Sequence, residues 1–193
     1  MATSFNIVDG IEKIYYAVLN EKNEQYGEVK LFSDMVVEFG MSPTQNSTSV
    51  YGSNREITSI LGNLTGEVTL TVQSLDEEVQ AEVMGKVKAE GGGYIDKGLS
   101  KPYVALMVEK SLDGGEFEYL TLYKGKFDLA EEKAKTKEDQ AEAQAQSYTA
   151  RFIQLKDKTF KYAVRTTSMK EDEKTTFMGK WGKQVIKPTV AQE

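Results

Sequence analysis

From Leu122 to Phe152 the chain reads LYKGKFDLAEEKAKTKEDQAEAQAQSYTARF, in which two segments of alternating apolar and polar residues flank a charged spacer. Such alternation is typical of β-strands with one buried face and one solvated face. The spacer contains no Gly or Pro and has no apolar stripe, so residues 131–146 are expected to form a solvated connection, or a helix that orders only against a neighbour. The stretch has no catalytic residue pattern, and it indicates β architecture.

The same alternation recurs along the chain and is clearest from Leu64 to Ser74, where Val68, Leu70 and Val72 alternate with threonines and acids. The segments are rich in Val, Thr, Tyr and Phe, which favour strands. We therefore predict seven strands: 14–19, 35–41, 64–74, 103–110, 117–127, 148–155 and 160–166. Asp113-Gly114-Gly115 is typical of a hairpin turn between the fourth and fifth of these strands.

One helix is predicted between the strands, beginning at a capping box formed by Ser74 and Glu77. Leu75, Val79, Val83 and Val87 recur at helical spacing, which predicts an apolar stripe that packs on the sheet. Residues 91–93 are three consecutive glycines and are expected to end the helix in a turn. No Lys-Ser/Thr pair follows them, so they do not indicate a phosphate-binding loop.

Two further segments do not follow the strand pattern. Residues 42–61, SPTQNSTSVYGSNREITSIL, are polar and turn-rich between two good strands, which predicts a long binding or assembly loop. Residues 168–193 are charged but contain Phe177, Met178 and Trp181 as apolar anchors for a C-terminal helix. We expect this helix to dock on its own domain, with docking on another subunit as the alternative. Residues 1–167 then form a single domain.

Composition excludes most chemistry. The 193 residues include no Cys and no His, so thiolate catalysis, Cys-ligated zinc and the usual general base are absent. The net charge of −6 disfavours ordinary nucleic-acid binding. We expect no catalytic residues, no metal site and no cofactor. No basic, apolar leader or long apolar run is present, and we expect a soluble product made in the cytoplasm, with no membrane partner.

Several short motifs occur in an order that resembles the major tail tube proteins of long, non-contractile phage tails. They are the aromatic-Ala-aliphatic strand at Ile14–Val18, the G-E-V-T block at Gly66–Thr69, the helix ending at Met84-Gly85, the P-Y-x-A-L piece at Pro102–Leu106, Y-K-G-K-F at Tyr123–Phe127 and K-T-K-E at Lys135–Glu138. The resemblance implies a mainly β fold, a β-sandwich or barrel with one flanking helix and long hairpin or loop arms.

The resemblance also implies a function. Subunits of this family form hexameric rings that stack around a tape measure protein and are closed by tail terminator and tip proteins. The chain would then be a virion protein assembled in the host bacterial cytoplasm, and DNA would be non-specific cargo that passes through the lumen. The family does not decide between an infectious phage and a tail-like bacteriocin.

By the same resemblance, individual residues acquire expected roles. Contacts between rings are expected in the 42–61 segment, at Pro43, Gln45, Tyr51, Asn54 and Arg55. An acidic channel surface that repels DNA is expected from Glu38, Thr65, Glu67, Thr69, Thr71 and Gln73.

A second hypothesis is a β-sandwich binding module, such as a virion decoration or carbohydrate-binding domain. In that case the tyrosines and polar loops would form the site. An enzyme is the third and weakest reading, because the paired carboxylates Glu116 and Glu118, or Glu77 and Glu78, have no distinguishing spacing.

Overall fold

The computed structural model of the chain describes residues 7–128 and 145–189. The predicted charged connection at 131–146 therefore lies outside the described residues, except for positions 145 and 146. The secondary structure in chain order is β1 (Val8–Asn20), β2 (Gln25–Tyr26), β3 (Lys30–Ser33), β4 (Val36–Gly52), β5 (Arg55–Val72), α1 (Glu77–Met84), β6 (Val87–Lys88), β7 (Tyr94–Ile95), β8 (Tyr103–Leu112), β9 (Glu116–Phe127), β10 (Gln146–Ile153), β11 (Lys161–Arg165) and α2 (Glu171–Lys180).

Within the described ranges, nine strands form one antiparallel sheet, and β6 with β7 forms a second, two-stranded sheet. The main order is β2-β1-β8-β9-β10-β5-β4. Strand β3 also pairs with β1, and β11 also pairs with β9. The predicted mainly β class is confirmed, although the described part of the sheet does not close into a barrel.

The sheet bends until strands from its two ends face each other across one core. Phe32 of β3 stacks on Phe127 of β9, with ring centroids 5.4 Å apart, and meets Tyr148 of β10 edge-on at 6.3 Å. Alternate residues of β5, Val68, Leu70 and Val72, are fully buried in the same core. The alternation read from the sequence therefore placed these side chains on the correct face.

Helix α1 closes this core, but its ends differ from the prediction. Asp76, not Ser74, is the N-cap, because its carboxylate accepts hydrogen bonds from the backbone N–H groups of Glu78 and Val79. The helix ends at Gly85, which adopts a left-handed conformation with φ of 68°. The end expected from the glycines at 91–93 is wrong, since Val87 already belongs to β6, whereas the end at Met84-Gly85 implied by the resemblance is correct.

A partly buried polar contact holds α1 against the sheet. Glu82 accepts a hydrogen bond from the Tyr16 hydroxyl and forms an ion pair with Lys30, whose Nζ lies 2.9 Å from the carboxylate. Burial, followed by the hydrogen bond to Glu82, raises the pKa of Tyr16 far above its usual value, so this phenol stays protonated as the donor.

The predicted turn between β8 and β9 is confirmed as a one-turn 3₁₀ segment at Asp113–Gly115, with both glycines at positive φ. All seven predicted strands correspond to strands in the structure, whereas the short β2, β3, β6 and β7 had not been predicted. In the described part of the chain, neither helix has the length and apolar character needed to cross a membrane.

Residues 42–61 do not form an irregular loop but a β-hairpin, one of the two forms of arm that the resemblance implies. Apart from the turn at Ser53 and Asn54 they belong to β4 and β5, which pair with each other from Val36↔Val72 to Gly52↔Arg55. Ser, Asn and Gly in this stretch have low strand propensity. The two segments form strands because their backbones pair with each other, and the local sequence does not reveal this pairing.

Candidate assembly surfaces

A β-ribbon projects from the sheet and is called the arm here, residues 43–64. Strand β10 pairs with β5 only at residues 65–72. Residues 55–64, the earlier part of β5, pair with β4 and not with β10. Ser53 and Asn54 turn the ribbon at its tip with φ of 51° and 60°. Two consecutive positive φ values are typical of a type I′ hairpin turn, whose twist suits the flanking strands.

The arm exposes large apolar side chains. Tyr51, Ile57, Ile60 and Leu61 are each 60% to 69% exposed. A two-stranded ribbon is marginally stable alone in water, and exposed apolar groups of this kind mark contact surfaces. The arm therefore has the chemistry of a surface that another molecule covers.

The structure locates the five residues predicted for this segment within the arm. Pro43, Tyr51 and Arg55 are exposed. Gln45 and Asn54 are exposed as well but also serve the ribbon itself. The Gln45 side chain donates to the Gly62 carbonyl at 3.0 Å, and Asn54 occupies the turn. The sequence interpretation missed Ile57, Ile60 and Leu61, which the apolar positions within REITSIL could have signalled.

The solvent side of β4, β5 and β10 is a second surface, called the threonine face here. Thr65, Thr69 and Thr71 of β5 lie on it, opposite the buried Val68, Leu70 and Val72. Across the strands, Thr69 pairs with Thr149, and the Thr71 hydroxyl lies 3.1 Å from that of Ser147. Glu67 shares this face, Glu38 is exposed opposite Thr71, and Gln73 is exposed just after β5 ends.

Neighbouring strands change the electrostatics that the sequence interpretation expected for this face. Glu67 pairs with Arg151 of β10, and Arg151 in turn pairs with Lys126 of β9. The Lys126 ammonium lies 4.0 Å from the centroid of the Tyr103 ring, and that of Lys124 lies 4.5 Å away. The face therefore carries acids and cations in one row and is not uniformly acidic.

The outer side of the other half of the sheet is covered by α2. Phe177 and Trp181 are buried against Tyr119 of β9, with centroid distances of 5.2 Å and 4.6 Å. Met178, the third predicted anchor, is 42% exposed. Two of the three anchors thus pack on their own chain in this structure.

Polar contacts fix α2 and the segment after it. Lys174 Nζ forms an ion pair with Glu116 at 2.9 Å, and hydrogen bonds from Thr166 and then Lys174 hold the pKa of Glu116 below its usual value. The strap, residues 182–189, follows α2. In it the Ile186 carbonyl accepts from the Tyr123 hydroxyl at 2.9 Å, and Lys187 pairs with Asp157.

A groove of about 400 Å³ lies between α2 and the strap. Its walls are mainly apolar, and Asp172, Glu173 and Lys180 contribute charged groups to its lining. The full set of lining residues is Met169, Asp172, Glu173, Thr176, Phe177, Lys180 and Ile186. A concave, mostly apolar site of this size can receive apolar side chains from a partner.

Across residues 7–128 and 145–189, no three acidic side chains converge in a way that could hold a metal ion. Glu116 and Glu118, considered above as a catalytic pair, are both engaged in ion pairs. Glu116 binds Lys174, and Glu118 binds Lys110 at 3.0 Å and Arg165 at 2.7 Å.

Comparison with known proteins agrees with the resemblance noted in the sequence. The family described as phage tail tube protein matches residues 43–180, which include the arm, most of the threonine face and α2. No protein with curated annotation matches the chain. The family match spans most of the sequence and supports the structural role over the binding-module alternative. The chain therefore belongs to the phage tail tube protein family and is a structural component of a virion tail.

Proposed function

We propose that copies of this chain associate side by side into closed hexameric rings, and that the rings stack into a tube through which DNA leaves the virion. The arm is the observation that carries the proposal. It extends a paired ribbon away from the core and exposes Tyr51, Ile57, Ile60 and Leu61, which another subunit would cover. In this arrangement the arm contacts the next ring.

The open edge of the sheet supports lateral association. Strand β4 is 17 residues long and is the last strand in the sheet order. A long edge strand presents unpaired backbone groups that favour pairing with another chain. Contacts between different surfaces of identical chains are heterologous, and such contacts close into rings or continue as filaments. Sheets joined in this way around a ring would enclose a channel.

The threonine face is the proposed lining of that channel. Its hydroxyl groups are uncharged, and its cations share rows with acids, as in the row of Glu67, Arg151 and Lys126. Repeated attraction to phosphates along a tube would slow the passage of DNA. Glu67 lowers the net positive charge of its row and so limits that attraction, although the face is not acidic overall.

Further partners follow from the family role. A tape measure protein inside the tube during assembly and terminator and tip proteins at its ends are proposed partners. Assembly in the host bacterial cytoplasm is part of the same proposal. DNA would be cargo that makes no sequence-specific contact.

Negative-stain electron microscopy of the purified protein over a concentration series tests this function. We expect hollow tubes or stacked rings that become more abundant as concentration rises. Dispersed small particles at every concentration would contradict spontaneous self-assembly of the chain.

A further inference from the structure

We propose that the groove between α2 and the strap is the receptor for the arm of a second copy of this chain. The inference rests on the proposed tube, because it identifies the surface that the arm would cover in the neighbouring subunit. Three properties of the two surfaces support it: apolar character, charge and spacing.

Apolar character is the first property. The arm exposes branched apolar side chains, and the groove has apolar walls that include Phe177 and Ile186. The groove lies on the half of the sheet formed by β1, β8, β9 and β11, whereas the arm extends from β4 and β5 beyond β10. Burying the arm in the groove would remove both apolar surfaces from water.

Charge is the second property. Arg55 and Glu56 at the tip are the charged residues of the arm. Asp172 and Glu173 lie in the first turn of α2, and Lys180 lies in its last turn. Arg55 would therefore pair with the carboxylates of Asp172 and Glu173 at one end of the groove. This pairing would place the tip of the arm at the start of α2 and so fix the orientation of the arm in the groove.

Spacing is the third property. Arg55 and Ile57 lie on the same face of the arm, because a Cβ at Gly52, the partner of Arg55, would collide with the Ile57 side chain. Tyr51 pairs with Glu56 and Val50 with Thr58, so Ile57 is the extra residue of a β-bulge. Arg55 and Ile57 are therefore separated along the arm by at most about 6.6 Å, the advance of two residues of regular strand. Glu173 and Phe177 are four residues apart on one helix face, about 6 Å along its axis. An Arg55–Glu173 pair therefore brings Ile57 close to Phe177.

This contact joins two different surfaces, so each subunit offers one arm and one groove. Such a heterologous contact either closes a ring or continues along an axis. Between stacked rings it continues along the axis, and it leaves free arms at one end of the tube and free grooves at the other.

Disulfide cross-linking tests the contact directly, because the native chain has no cysteine. One variant carries Ser59→Cys on the arm, and a second, distinguished by a mass tag, carries Lys180→Cys at the groove. We expect a mixed disulfide between them, since a disulfide forms only when the two Cα atoms come within about 7 Å. The matched control pairs Ser59→Cys with Glu90→Cys, an exposed residue in the β6–β7 turn.

Charge reversal sharpens the test. Arg55→Glu in the arm variant should lower the yield of mixed disulfide severalfold, and Asp172→Lys with Glu173→Lys in the groove variant should restore it. Ile57→Ser should also lower the yield. Thermal unfolding of each variant confirms that it is folded.

The proposal would be overturned if the Lys180→Cys variant gave no more mixed disulfide than the Glu90→Cys control. It would also be overturned if Arg55→Glu left the yield of mixed disulfide unchanged. An intramolecular disulfide in one chain that carries both cysteines, without the mixed product, would also overturn it. Tubes without the mixed disulfide would leave the proposed function standing and remove the groove as receptor. The mixed disulfide without tubes at any concentration would support the groove and contradict the tube.

Discussion

Gly125 and Gly66 each lie under an aromatic ring, and the ring occupies the space that a side chain at the glycine position would need. A Cβ at Gly125 would lie 2.5 Å from the Phe152 ring, and one at Gly66 would lie 2.8 Å from that of Phe160. Phe152 pairs directly with both glycines across the strands. The rings cover the glycine backbone and hold β5, β9 and β10 in register.

Gly125→Ala should therefore destabilise the fold. The Phe152 ring must leave its position to admit the methyl group, and overpacking of this kind costs about 1–3 kcal/mol. Urea unfolding measures the change in the free energy of unfolding. Gly91→Ala is the matched control, because a Cβ there meets no atom within 4 Å and should leave stability almost unchanged. Equal stability of the two variants would contradict the packing argument.

Glu118 gives the fold a predictable dependence on pH. Burial by itself would raise the pKa of Glu118, but hydrogen bonds from Arg165 and Lys110 outweigh it and hold the pKa below its usual value. A carboxyl with a lowered pKa stabilises the folded state above its unfolded pKa, about 4.3, and this stabilisation is lost as pH falls through the folded pKa.

We expect Glu118→Gln to reduce the loss of stability between pH 7 and pH 3 relative to the wild type. Urea unfolding at the two pH values measures this difference. Glu90→Gln, at an exposed turn position, should retain the wild-type loss. A Glu118→Gln variant as sensitive to acid as the wild type would show that the pair with Arg165 and Lys110 does not contribute.

Among the elements, α2 shows how a short, strongly charged helix is held in place. Its ten residues contain one buried side chain, Phe177, and Trp181 follows immediately after its end. Both rings pack on Tyr119, and Lys174, on the same face of the helix, forms an ion pair with Glu116. A helix this short has little stability of its own, so packing on the sheet maintains it.

Trp181→Ala should cost about 3 kcal/mol, because it empties a buried aromatic site. Met178→Ala in the same helix should change the free energy of unfolding by less than about 0.5 kcal/mol, since Met178 is exposed. Thermal or urea unfolding of the two variants measures the contrast. A large effect of Met178→Ala in the isolated subunit would mean that α2 packs through another face.

In the whole molecule, one bent sheet has three surfaces with different surroundings: the core side, the side under α2 and the threonine face. Its inner side forms the core, and half of its outer side is covered by α2. The other half is the threonine face, and the arm continues its strands beyond the core. Folding and assembly therefore depend on separate residues, which lets them be tested separately.

Replacing residues 48–60 with Asn-Gly should abolish tubes and leave a folded subunit. The change removes the ribbon beyond the Ser47↔Leu61 pair, leaves the buried core untouched and lets that pair flank a favourable turn. Circular dichroism and electron microscopy measure folding and assembly. Asn54→Gly, which preserves the arm and its turn, should still form tubes. Tubes from the shortened chain would contradict the role of the arm.

Much of the sheet could be predicted because strand periodicity is a local signal. The alternation around Val68, Leu70 and Val72 correctly assigned buried and solvated sides, and Asp113-Gly114-Gly115 correctly marked a turn. The arm could not be predicted as strand, because polar β4 and β5 residues acquire strand structure only from each other. The helix cap was misplaced because Ser74 and Asp76 both have capping chemistry, and only the backbone geometry selects Asp76.

By itself, the sequence determined that this protein is mainly β, that one side of β5 is buried, and that chemistry based on Cys or His is excluded. These conclusions follow from composition and from the alternation of neighbouring residues. Only the tertiary structure decided that residues 42–61 form a paired arm, that Arg151 and Lys126 share a row with Glu67, and that α2 and the strap enclose a groove. Each of these depends on pairing or packing between residues far apart in the chain, which local patterns do not encode.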